Sequence, residues 1–181
     1  MQDRSNKLFY WAIAALSCFL WACENTSSTS AEETYFSLER YFEKEIQRLD
    51  REQPQVEKTV MKNDQQEHRS MNGLDWKTEL KVFLNSDINK PAWRDSYKVD
   101  SSGSGLRYQA LEPDLKVRSI HISREPTGQV TGIEIRRSED NYLFTSEETF
   151  RYYPDSLYSI ERHQDVRVLG PDRFRITGSF H

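Results

Sequence analysis

The sequence predicts an α+β domain in which N-terminal helices pack on an antiparallel β-meander sheet. Three observations predict it. Apolar residues recur at three- and four-residue steps over residues 35–49, the period of an amphipathic helix. From Ser96 onward the period changes to two, and short runs rich in Ile, Val, Tyr and Phe are separated by Gly, Pro, Asn and Asp. Helices in one block followed by consecutive strands argue α+β rather than alternating α/β. The pattern leaves open whether the sheet is strongly curved.

The first helix carries Tyr35, Leu38, Phe42, Ile46 and Leu49 on one face, with Tyr41 on its flank. Ser30-Ala31-Glu32-Glu33 has capping-box spacing before it, and Pro54 ends it. Residues 55–71 read as a polar β-hairpin turning at Lys62-Asn63-Asp64, which needs support from a neighbour because a lone hairpin is marginal. A second helix follows, capped by Asn72 or Asp75, with Trp76, Leu80, Phe83, Leu84 and Ile88 as its apolar face. Pro91 closes it and Trp93 packs back. The strands are then Tyr97–Asp100, Leu106–Leu111, Val117–Arg124, Val130–Arg137, residues 142–153 and Leu157–Val168. The last strand presents Phe174, Ile176, Gly178 and Phe180 on one face after a Gly170-Pro171-Asp172 turn.

Both cysteines of the chain, Cys18 and Cys23, precede these elements, so the domain has neither a disulfide nor a thiol for catalysis or metal binding. It must be held by its core. The net charge is −4 and both signs are dispersed, with no basic block of the kind that binds nucleic acid. His68, His121, His163 and His181 stand in no metal-ligand or triad spacing, and no Gly-x-Ser-x-Gly or Ser-x-x-Lys occurs. The Ser101–Gly105 stretch lacks the lysine and following helix of a phosphate loop and reads as a turn. No cofactor or metal is therefore expected, nor an enzyme. One cluster is a candidate ligand platform: Tyr142, Tyr152, Tyr153 and Tyr158 with Arg151. On a concave sheet face these would stack on a sugar, peptide or lipid headgroup; on a buried face they would simply be core.

Ahead of the domain, Leu8–Ala22 is an apolar run behind a weakly basic head. As a helix it spans about 22 Å, short of the roughly 30 Å of a bilayer core. It therefore reads as the core of a secretory signal. The run ends Leu20-Trp21-Ala22-Cys23, which resembles the lipobox of bacterial lipoproteins, although Trp21 stands where that family favours a smaller residue. The polar stretch after Cys23 selects it over Cys18 as the modified residue. The resemblance implies cleavage before Cys23 and acylation of that cysteine, with palmitate among the chains.

The expected organisation is a signal peptide at 1–22, a lipid anchor and polar tether at 23–33, and a single α+β domain at 34–181. The resemblance further implies the cell envelope, and the outer membrane of a Gram-negative bacterium in particular. The function expected is non-enzymatic binding or scaffolding of an envelope protein, glycan or lipid, with the membrane as partner through the anchor. Two alternatives stand beside it. One is an amphiphile carrier or sensor with a curved sheet lined by Leu106, Ile120, Ile133, Phe150 and Ile176; the other is an envelope hydrolase.

Overall fold

A computed structural model describes residues 34–181. The capping box at Ser30 and the whole leader, Cys23 included, lie outside the described residues. Helix α1, Leu38–Glu52, starts instead behind Ser37, whose hydroxyl accepts from the Arg40 amide at 3.1 Å. Asp87 caps the same end from another part of the chain, accepting from the Glu39 amide at 2.9 Å. The helix stops where Gln53 turns left-handed (φ 46°) and its amide closes on the Leu49 carbonyl, directly before Pro54.

The expected hairpin is present as β1 (Val56–Lys62) and β2 (Gln65–Met71), turning at Asn63 with φ 52°. The single second helix is corrected to two short ones, α2 (Trp76–Glu79) and α3 (Lys81–Leu84), broken at Leu80. Asp75 caps α2, and Thr78 donates to it through both its amide and its hydroxyl. A 3₁₀ turn, Pro91–Trp93, leads to β3 (Tyr97–Asp100) and β4 (Gly105–Ala110). After them come β5 (Val117–Arg124), β6 (Val130–Asp140), β7 (Phe144–Tyr153), β8 (Leu157–Val166) and β9 (Gly170–Phe180).

Among the described residues these strands form one nine-stranded sheet, antiparallel throughout, in the order β2-β1-β9-β8-β7-β6-β5-β4-β3. From β3 to β9 the chain is a simple meander. The early hairpin leans on β9, with Val56 opposite Phe180 and Lys62 opposite Phe174. The fold is thus mostly β with an N-terminal helix, and the sheet is open rather than strongly curled.

Alternation sorts the side chains. One face carries Tyr108, Ile120, Ile122, Ile133, Ile135, Phe150, Tyr152 and Tyr158, all buried. Helix α1 crosses this face. At its start the Tyr108 hydroxyl of β4 accepts from the Phe36 amide, and at its end Arg48 reaches Asp155 in the β7–β8 turn at 2.7 Å. Phe42 packs on Phe83 and Tyr152 with ring centroids 4.9 and 5.2 Å apart, and Trp76 packs on Phe180 at 5.7 Å. Across β6–β9 the core therefore sits at the end of the strands nearest the β7–β8 turn, which we call proximal; across β3–β5 it also takes in Tyr97, Ala110, Leu115 and Val117.

Gly178 faces this core and lies opposite Tyr158 in the β8–β9 register. A Cβ there would stand 2.2 Å from the Tyr158 ring, so the site tolerates hydrogen only. Gly178→Ala is expected to lower stability by about 1–3 kcal/mol in urea denaturation, the usual cost of overfilling a packed core. Gly132→Ala is the contrast. Its Cβ would crowd the ring of Tyr153, which is partly exposed and can swing away, and would meet the Ser123 Cβ at an ordinary 3.9 Å. Equal losses at the two positions would contradict this packing.

Candidate functional site

The five candidate platform residues do not share a surface. Tyr152 and Tyr158 are fully buried on the helix-covered face. Tyr153, one residue on, points to the opposite face and is partly exposed, as the strand period requires. Tyr142 stands 79% exposed in the β6–β7 turn. Arg151 lies on the open face, where its guanidinium bonds Glu134 at 2.9 Å and Glu161 at 3.0 Å.

The buried pair has a different task. The Tyr152 hydroxyl donates to Glu45 of α1 at 2.5 Å, and Arg48 holds the same carboxylate oxygen at 2.9 Å. The Tyr158 hydroxyl donates to Glu79 of α2 at 2.7 Å, and Lys58 of β1 pairs with the other oxygen at 2.5 Å. Each unit is a tyrosine, a carboxylate and a cation, and each pins a helix to the sheet. Glu45 was missed in the sequence although a signal existed: the stripe 38, 42, 45, 49 keeps perfect helical spacing, and Glu45 occupies one of its positions.

The uncovered face is polar. Glu134, Arg151, Glu161 and Arg175 form a ladder across β6, β7, β8 and β9, and Arg136 adds to Glu134 at 2.9 Å. Burial raises the Glu134 carboxyl, but the bonds from Arg151 and Arg136 outweigh it and hold it below the usual carboxylate range. His121 lies on this face opposite Glu134 and Arg107, and His163 lies opposite Glu147 and Arg173. His68, His121, His163 and His181 are all exposed. Among the described residues no three His, Cys, Asp or Glu side chains gather as a metal site.

The helix-covered face changes character towards the other, distal end. Beyond Ile135, Phe150 and Ile160 the same rows continue as Arg137, Glu148, Arg162 and Gln164, which are half-buried or exposed. Arg137 pairs with Glu148 at 3.5 Å, and Arg162 sits 5.7 Å from the Phe174 ring centroid. From Phe150 to Phe144, β7 runs roughly 20 Å past the core. Two of the connections at the distal end, β6–β7 and β8–β9, carry bare apolar pairs: Tyr142 and Leu143, and Val168 and Leu169. Here the expected strand limits are corrected, since β7 begins at Phe144 and β8 ends at Val166. Gly170-Pro171-Asp172, expected as the turn, already belongs to β9.

Burial raises the phenols of Tyr41, Tyr97, Tyr108, Tyr152 and Tyr158 above their ordinary value, Tyr97 to about 12. In the unfolded chain a tyrosine ionises near pH ~10. The fold thus holds these protons more tightly than the unfolded chain does. Their contribution to stability is complete below pH ~10 and is lost as pH rises through the raised values. Absorbance at 295 nm should show these phenols ionising together with loss of far-ultraviolet circular dichroism. Ionisation of all tyrosines ahead of unfolding would contradict their burial. Compared with known proteins, the chain matches no family model, no curated protein and no solved structure, so the reading of its site rests on its own geometry.

Proposed function

We propose that the chain is a lipid-anchored protein of the cell envelope that binds or scaffolds an envelope protein, glycan or lipid without catalysing a reaction. The observation that carries this reading is Cys23, placed at the end of an apolar run and followed by the polar stretch Glu24–Glu33. A diacylglyceryl cysteine supplies at least two acyl chains, which meets the two-signal condition for stable membrane attachment. The outer membrane of a Gram-negative bacterium is the address that the lipoprotein resemblance favours.

The domain geometry supports a binding surface rather than a hollow or a catalytic cleft. Ile120, Ile133 and Phe150, which would line a carrier's cavity, are filled over by side chains such as Phe42 and Phe83. A hydrolase would need a histidine or carboxylate free to act. Glu134, the acid opposite His121, already has both oxygens bonded by arginines. What remains open is a broad charged strand face and the distal extension of the hairpins.

The anchor is tested by growth with radiolabelled palmitate. Label is expected on the wild-type chain and on Cys18→Ser, and is expected to vanish from Cys23→Ser together with membrane retention. Label that persists in Cys23→Ser would refute the assignment. A photo-crosslinker at Arg136, on the open face, should then capture one defined envelope component in intact cells and lose it when placed at Ile135, on the buried face.

A further inference from the structure

We propose that the two distal turns act as a second membrane contact, inserting the apolar residues at their tips into the interface of a zwitterionic lipid bilayer. This rests on the envelope reading only for the presence of a bilayer within reach.

Four apolar side chains stand bare at the tips: Tyr142 at 79% exposure, Leu143 at 65%, Val168 at 92% and Leu169 at 85%. Single exposed apolar residues are ordinary, but four gathered at two neighbouring turns make a patch. The turns are one unit, because the Arg167 amide donates to the Leu143 carbonyl at 3.2 Å and the Arg167 guanidinium lies 4.6 Å from the Tyr142 ring centroid.

Backbone groups entering an apolar medium must bring their partners with them. Part of the backbone at these turns does so. Asn141 Oδ1 accepts from the amides of Leu143 and Phe144 at 2.9 and 3.1 Å. The Asn141 amide donates to the Phe144 carbonyl at 3.0 Å, and the Leu169 amide to the Val166 carbonyl at 3.0 Å. The flanks of the turns are thus internally bonded while their apolar side chains stand exposed, a balance suited to the wet interface rather than the hydrocarbon core. A tyrosine ring under an arginine, with leucines and a valine alongside, has the chemistry of the headgroup boundary: polar ends at the level of water, apolar bodies below.

Shape favours lipid over protein as the occupant. A specific protein interface takes about 800 Å² from each partner over a complementary surface. Two turn tips at the end of extended hairpins offer far less, and a bilayer demands no matching shape. Charge selects the kind of lipid. Asp140 and Asp165 are exposed beside the turns and offset Arg167, so insertion is apolar in origin and needs no anionic headgroup. The ten residues of the expected tether could stretch to roughly 35 Å, which lets the domain settle on the bilayer that holds its anchor.

The test uses the processed membrane-bound chain, reconstituted in phosphatidylcholine vesicles. Leu169→Cys carries an environment-sensitive fluorophore, and Thr127→Cys, in the β5–β6 turn at the proximal end, serves as the control. The label at 169 is expected to shift to the blue and lose most of its emission to nitroxide lipids, while the label at 127 stays in water. Equal responses at the two positions would overturn the proposal. So would a blue shift without lipid that grows with protein concentration, which would mark self-association. Absence of acyl mass on Cys23 would sink the anchor on its own, and the comparison of 169 with 127 would still decide the tips.

Discussion

Everything else in this domain depends on how α1 is seated across one half of the sheet. Shape and hydrogen bonding both hold it there. Leu38, Phe42 and Leu49 press into the rows of Ile120, Ile135, Phe150 and Tyr152, burying apolar surface at roughly 25 cal/mol per Å². Non-directional burial alone would let the helix slide or rotate. The Tyr152–Glu45 bond, at 2.5 Å inside that contact, fixes one position along the helix to one position on β7. The Tyr158–Glu79 bond does the same for α2 on β8. A partly buried carboxylate is costly unless paired, and each of these has both a hydroxyl and a cation.

That seating also decides what is left uncovered. The helix axis runs across the strands, so it protects only the proximal rows of long hairpins. Distal positions in the same rows become Arg137, Glu148 and Arg162, since an uncovered face must be solvated. Removing disulfides from the menu strengthens the constraint: no covalent link replaces the helix as a clamp among the described residues. The early hairpin β1–β2 finds its support on β9, and Lys58 ties it back to α2 through Glu79. One contact region thus joins the early hairpin to the last described strand.

Much of this was legible from residues alone. The period-two alternation of Phe174, Ile176, Gly178 and Phe180 predicts the face they share, and Asn63-Asp64 predicts the turn of the first hairpin. The second helix misled because its apolar spacing is continuous, whereas the Leu80 backbone departs from helical geometry and splits it. The five platform residues part company for a reason of symmetry. Residues 151–153 must alternate between faces, but tyrosine suits a core and a wet surface equally, so pattern does not say which face is which. The overrun of both distal strands has another cause. Tyr142, Leu143, Val168 and Leu169 look like strand to any propensity argument, yet they form turns. Local rules break there, and that is where a demand other than folding is expected to act.

The claim at the centre of this account is that the buried tyrosine–carboxylate bond holds α1 on the sheet. A double-mutant cycle on Tyr152→Phe and Glu45→Ala, read by urea denaturation, measures it directly. The account predicts a coupling of about 1–3 kcal/mol between the two changes. Additive losses, with coupling near zero, would show that burial alone seats the helix and would contradict it.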